Sequence, residues 1–144
     1  MRKVSDILRT KGNKTVNISP GTPVIDALRL MDENNIGSVV VVNEGRYAGI
    51  LTERDYSRKV ILKGKSSADT TVADIMSTEL PVLAPSDSID RCMQLMSDKH
   101  IRYLPVFDGT ELSGIISMSD VVNAIIATQQ ETISHLENYI SSAV

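Results

Sequence analysis

Two short stretches of this 144-residue chain carry side chains able to grip a sugar phosphate. They are Gly49-Ile50-Leu51-Thr52-Glu53-Arg54-Asp55 and Gly114-Ile115-Ile116-Ser117-Met118-Ser119-Asp120. Each reads glycine, two apolar residues, a hydroxyl residue, two variable residues and an aspartate. An ionised carboxylate only accepts hydrogen bonds, so Asp55 or Asp120 can hold the two neighbouring hydroxyls of a ribose. If a helix opens at Thr52 or Ser117, the hydroxyl and the first amides lie where the helix dipole favours phosphate. The glycine lets a ligand or another backbone come close. A second reading stands beside this one: Ser/Thr-x-x-Asp ahead of an apolar helix is also a capping box, which needs no ligand. The two are compatible, since the hydroxyl can cap while the site is empty.

The first stretch runs on into Arg58 and Lys59, which with Arg54 gives three cations in about two helical turns able to neutralise phosphate. Arg58 and Lys59 read equally well as a solvated helix face; Arg54 lies inside the motif. The second stretch has Met118 and Ser119 in its variable positions, so it is expected to be less charged and to differ in its preference for phosphate. Other chemistry finds little support. His100 and His135 are far apart, and Cys92 falls on an apolar helix face, so no metal-ligand spacing emerges. There is no Gly-x-Gly-x-x-Gly, no phosphate-binding loop of the Gly-Lys-Ser/Thr type, and no nucleophile–base pair. The expectation is therefore binding, with no catalytic residues and no metal.

The elements that must position these residues come in two copies. Shifting the sequence by 65 residues places Pro20 on Pro85, Leu30-Met31 on Leu95-Met96, Val41 on Val106, Gly49-Ile50 on Gly114-Ile115 and Asp55 on Asp120, without a gap. Upstream, Val4-Ser5-Asp6-Ile7-Leu8 matches Val72-Ala73-Asp74-Ile75-Met76 at a shift of 68. Each copy reads as a short strand (near 15–18 or 81–83), a helix, an apolar strand (38–42 or 103–107), a tight turn and a partner strand (47–51 or 112–116). A second helix then begins near Thr52 or Ser117. The first helix carries Val24, Ala27, Leu28 and Met31 on one face, and its counterpart Ile89, Cys92, Met93 and Met96, both at i, i+3, i+4, i+7 spacing. Thr22 is expected to cap the earlier helix with Pro23 in its first turn, and Asp87 to cap the later one. Residues 63–69 form a polar linker. One β-α-β-β-α unit buries too little apolar surface to stand comfortably alone. The fold expected is thus α/β (α+β), two tandem repeats packed sheet to sheet about a pseudo-two-fold axis, with ligand clefts where they meet.

Composition narrows the class further. Apolar residues at 42% and charged residues at 23% suit a folded domain, and a net charge of −3 argues against nucleic acid. No apolar run reaches the roughly 18 residues of a membrane span. The N-terminus lacks the apolar stretch of a secretory signal, and one cysteine allows no internal disulfide, which points to the cytoplasm.

The duplicated motifs, the strand segments Ile36-Gly37-Ser38-Val39-Val40-Val41 and Ile101-Arg102-Tyr103-Leu104-Pro105-Val106, and the repeated Asp-Ile-Leu/Met lead-in resemble a tandem pair of cystathionine-β-synthase (CBS) domains. The resemblance covers about residues 1–127 and extends, through Thr52-Glu53-Arg54-Asp55-Tyr56 and Arg58-Lys59, to small stand-alone CBS-pair proteins. It implies repeats over 1–65 and 66–127, with a helical extension over 128–144. It also implies a regulatory sensor, not an enzyme, that binds AMP, ADP, ATP or NAD(H) between the repeats. On that resemblance one site would use Ile115, Ser117, Ser119 and Asp120 with Ile36, Gly37 and Ser38. The other would use Ile50, Thr52 and Asp55 with Ile101, Arg102 and Tyr103, and the charge reading above adds Arg54 and Arg58 as its phosphate contacts. Lys14, Thr15, Val16 and Pro81 would wall the base.

Beyond the repeats, residues 120–141 contain no Pro or Gly. Val122, Ile126, Gln129, Ile133, Leu136 and Ile140 follow alternating steps of four and three, a heptad seam with one polar member. The helix either packs on its own domain or pairs with its twin or a partner helix. A homodimer is expected, with the signal passing through dimer geometry or to a separate regulated protein. The alternative function is an interaction module in which this helix acts and nucleotide binding is vestigial.

Overall fold

The computed structural model describes residues 2–142, so the last two residues of the 128–144 extension lie outside it. Two compact units divide the chain, and the unit of packing is not the unit of repetition. One unit is Lys14–Leu80, and the other joins Met1–Asn13 to Pro81–Val144.

In the Lys14–Leu80 unit, β1 (Asn17–Ile18) runs parallel to β2 (Ser38–Asn43), which pairs antiparallel with β3 (Arg46–Thr52). The hairpin closes through Glu44 and Gly45, at φ 52° and 78°, the left-handed pair that a two-residue turn requires. Val24, Ala27 and Met31 of α2 (Val24–Asn34) pack on Val39, Val41 and Leu51, with Val60 beyond α3 (Glu53–Lys59). The core is completed by Val72 and Ile75 of α4 (Val72–Ile75). That helix is the lead-in of the second sequence copy, yet it packs on the first.

The reciprocal holds in the other unit. There α1 (Val4–Lys11), the lead-in of the first copy, places Val4 and Ile7 in a core with Leu83, Cys92, Met96, Leu104, Val106, Ile116 and Val121. At about 1.5–3 kcal/mol per fully buried aliphatic side chain, these two residues bind the lead-in firmly to this unit. The remaining elements are α5 (Ile89–Lys99), β4 (Tyr103–Asp108), β5 (Glu111–Ser117) and α6 (Met118–Ser142). The strand expected at 81–83 is reduced to Leu83. Its N–H donates to Pro105 O at 2.9 Å and its carbonyl accepts from Phe107 N at 2.8 Å. Pro81 and Pro85 on either side cannot donate to a ladder, which keeps the pairing short.

Repetition extends to irregular features. The hairpin register slips at Val41/Val42 and again at Val106/Phe107. Both core helices end on a left-handed residue, Asn35 at φ 52° and His100 at φ 54°, which gives His100 a helix-ending role. The helix starts differ from expectation. Pro23, not Thr22, is the N-cap of α2, because Val24 N–H already donates to Thr70 O at 2.8 Å and needs no hydroxyl. Ser88, not Asp87, caps α5 by accepting from Arg91 N at 3.1 Å, and Asp87 accepts from Ala84 N one turn earlier.

Cys92 is fully buried, and its desolvation, helped by the Asp87 charge, pushes the thiol up to about 11. Such a thiol is a packing residue and a poor nucleophile. No helix among the described residues is long and apolar enough to cross a membrane.

Candidate functional site

Both Gly-x-x-Ser/Thr-x-x-Asp stretches sit where β-hairpin gives way to helix, and both form complete capping boxes. At the start of α3, Thr52 Oγ1 accepts from Asp55 N at 3.1 Å, and Asp55 Oδ2 accepts from Thr52 N at 3.0 Å. At the start of α6, Ser117 Oγ accepts from Asp120 N at 3.1 Å, and Asp120 Oδ2 accepts from Ser117 N at 2.8 Å. Capping alone does not mark these aspartates, since Asp6 and Asp74 accept in the same way from Lys3 N and Thr71 N. Those backbone bonds hold the Asp6 and Asp74 carboxyls below the usual carboxylate range.

Asp55 and Asp120 additionally receive a side chain from the lead-in packed on their own unit. Ser77, just past α4, donates its hydroxyl to Asp55 Oδ1 at 3.0 Å and Oδ2 at 3.3 Å. Lys59 Nζ lies 3.0 Å from the same Oδ1 and donates to Ile75 O at 2.8 Å. At the other motif, Lys11, the last residue of α1, brings Nζ to 2.7 Å from Asp120 Oδ2 and 2.9 Å from Ile115 O. The Asp55 side chain is 9% exposed and the Asp120 side chain 19%. The second carboxylate is thus the more open.

This arrangement narrows the charge asymmetry expected between the motifs without removing it. The Asp120 motif has its own cation, delivered from a residue more than a hundred positions away in sequence. Lys59, which reads equally as a phosphate-neutralising cation and as part of a solvated face, is half-exposed and tied to Asp55. Ser77 and Lys11 are contacts of the two motif aspartates that the sequence reading did not name. The repeat of Val4–Leu8 in Val72–Met76 was visible; that each lead-in packs on the other copy was not.

The motif glycines serve the same contact. A Cβ on Gly49 would stand 2.6 Å from Ser77 O, and one on Gly114 would stand 2.8 Å from Leu8 Cδ2. Both glycines therefore make room for a lead-in segment. The first helical amides are also committed, Glu53 N to Gly37 O at 3.1 Å and Met118 N to Arg102 O at 2.8 Å. With Asp55 N and Asp120 N used in capping, two of the first three amides of each helix already have acceptors.

Within the units, the register sets Ser38 opposite Thr52 and Tyr103 opposite Ser117. Gly37 and Arg102 join them through the carbonyls just described, while Ile36 and Ile101 follow the helix ends as half-buried residues. Val16 lies along β2, its carbonyl accepting from Val40 N at 2.9 Å. Thr15 Oγ1 donates to Asn17 Oδ1 at 2.7 Å, and Lys14 beside it is exposed. Arg54, Arg58 and Ser119 are exposed on the first turns of their helices or just beyond, and Pro81 is half-buried. Ile50 is fully buried, with both backbone groups bonded to Ser77 at 3.0 and 2.9 Å. Among the described residues no three His, Cys, Asp or Glu side chains converge to hold a metal ion.

Comparison with known proteins places these observations in a family. The CBS domain family model matches residues 4–61 and again 72–127. The chain is 38% identical over 146 aligned positions to the mitochondrial CBS domain-containing protein CBSX3 of Arabidopsis thaliana, covering 95% of this chain and 71% of that one. It superposes on a putative signal-transduction protein with CBS domains from Burkholderia ambifaria with a TM-score of 0.85. The two share 42% identity, over 89% of this chain and 96% of the other. The CBS domain pair of protein MJ0100, solved with 5′-methylthioadenosine and S-adenosyl-L-methionine, shares the fold at a TM-score of 0.77 and 22% identity, over 89% and 98% of the two chains.

Proposed function

Because the chain belongs to the CBS-domain family, whose pairs are commonly regulatory ligand-binding modules, we propose that it senses an adenine nucleotide, AMP, ADP, ATP or NAD(H), and performs no catalysis of its own. The observation that carries the reading is the Asp120 motif. It presents a partly exposed carboxylate in the first turn of a 25-residue helix, beside a serine hydroxyl and a lysine ammonium. The carboxylate suits the ribose diol, and the hydroxyl and ammonium suit phosphate. The Asp55 motif offers the same groups in a more buried form, at the head of a seven-residue helix. The MJ0100 pair supports the reading only in that its fold accommodates adenosine compounds. The signal would reach a separate protein or change the geometry of a homodimer. The single buried thiol suits the cytoplasm.

Thermal denaturation with and without nucleotide tests the proposal. A ligand at ten times its Kd raises stability by about 1.4 kcal/mol, which for a chain of this size is a rise of about 4–6 °C in Tm. The shift should grow with nucleotide concentration. No shift with any of AMP, ADP, ATP or NADH at millimolar concentration would reject it.

One observation favours the second reading, an assembly module. Along α6, Val122, Ile126, Ile133, Leu136 and Ile140 are 43–63% exposed on one heptad seam, a stripe that a partner helix would cover. Removal of residues 128–144 should lower the oligomeric state in sedimentation and leave nucleotide stabilisation intact. Loss of the nucleotide effect together with assembly would assign the function to the helix.

A further inference from the structure

We infer that Lys11 is the residue by which the Asp120 motif distinguishes phosphorylated from unphosphorylated ligands; the inference rests on the nucleotide reading above. Its ammonium is held by two acceptors, Asp120 Oδ2 at 2.7 Å and Ile115 O at 2.9 Å. The Asp120 oxygen it contacts also accepts from Ser117 N, so the positive charge sits over the first turn of α6. The Lys11 side chain is 36% exposed, open enough for the ammonium to change partners. Two of the first three amides of α6, those of Met118 and Asp120, are already bonded within the unit. Lys11 thus brings a full positive charge into contact with the motif carboxylate.

A ribose that engages Asp120 competes with Lys11 for the carboxylate. For adenosine, the ammonium loses an ion pair and gains nothing. For AMP or ATP it exchanges a carboxylate for a phosphate, an equal or stronger acceptor. The same ion pair thus penalises a nucleoside and is neutral toward a nucleotide. Position supports the role. Lys11 ends α1, whose Val4 and Ile7 are anchored in the unit's core, and is followed by Gly12 at φ 88°. The cation is fixed at its base, and its tip is within reach of a ligand. At Asp55 the lead-in contributes the uncharged Ser77, and the ammonium comes instead from Lys59 of the motif's own helix.

Calorimetric titration of the full chain with adenosine and with AMP tests the inference, with Lys11→Met, Lys11→Arg and Asp120→Asn compared to the unsubstituted protein. Lys11→Met should weaken AMP about tenfold to a hundredfold, the range of one charge-assisted hydrogen bond, and leave adenosine unchanged or tighter. Lys11→Arg should restore most of the preference for AMP. Added KCl should weaken AMP binding more steeply in the unsubstituted chain than in Lys11→Met. Adenosine and AMP both binding, with their affinity ratio the same in Lys11→Met as in the unsubstituted chain, would overturn the role of Lys11 and leave the nucleotide reading standing. Failure of the unsubstituted chain to bind either compound would overturn both. Melting of each variant without ligand, alongside Lys11→Arg, separates a folding defect from a loss of selectivity.

Discussion

Gly49→Ala lowers the stability of the chain by about 2–3 kcal/mol, and Gly114→Ala by about 1 kcal/mol or less, as expected of overpacking at sites of unequal stiffness. The added methyl at Gly49 meets the Ser77 carbonyl oxygen at 2.6 Å, and that oxygen is backbone. It accepts from Ile50 N at 3.0 Å while Ser77 N donates to Ile50 O at 2.9 Å. Moving the carbonyl away strains a two-bond bridge and also shifts the Ser77 hydroxyl from Asp55. At Gly114 the corresponding contact is the tip of Leu8, 2.8 Å away. A partly buried leucine can turn to another rotamer for about 1 kcal/mol. Chemical denaturation of the two variants checks the ranking. Equal losses, or a larger loss at Gly114, would mean that the lead-in of the Lys14–Leu80 unit does not depend on its approach to Gly49.

This ranking depends on a contact that no pattern in the sequence discloses. The repeat itself was plain, because the hairpins, the core-facing helix stripes and the hydroxyl–Asp spacing are local features with fixed periods. Thr52 and Ser117 were read correctly as helix starts for the same reason. The starts of α2 and α5 were misread by one residue, since the amide of Val24 is satisfied by Thr70, a long-range partner that competes with the expected hydroxyl cap. The exchange of lead-ins is a tertiary fact of the same kind. Val4 and Ile7 carry an apolar face that any core could accept, and nothing in their spacing says which copy does. Consequently Lys11, which reaches Asp120 from the lead-in, could not be read from the motif itself. A glycine in each motif signalled a close approach, but the approaching group is protein.

Replacing Asp120 by alanine is expected to remove most of the stabilisation by nucleotide, whereas Asp55→Ala removes more of the stability of the empty chain. The reason is the difference in burial and in partners. Asp55 is buried and satisfies Thr52 N, Thr52 Oγ1, Ser77 Oγ and the Lys59 ammonium. Deleting it leaves several donors without an acceptor in a part-buried setting, a loss of about 3 kcal/mol. Asp120 satisfies Ser117 N and Lys11, in a more open position. Its loss resembles that of an N-terminal cap, about 1 kcal/mol. For binding the order reverses. At Asp120 a ribose meets one cation, Lys11, on Oδ2, whereas at Asp55 both oxygens are engaged, by Ser77, whose backbone is pinned to Ile50, and on Oδ1 by Lys59. The Asp120 site is therefore expected to fill first. Melting curves of both variants, taken without ligand and at saturating AMP, read the two quantities separately. Asp120→Ala should melt a few degrees low with little response to AMP; Asp55→Ala should melt about 10 °C low and still respond. An Asp120→Ala chain that retained its full response while Asp55→Ala lost it would move the principal site to the Asp55 motif.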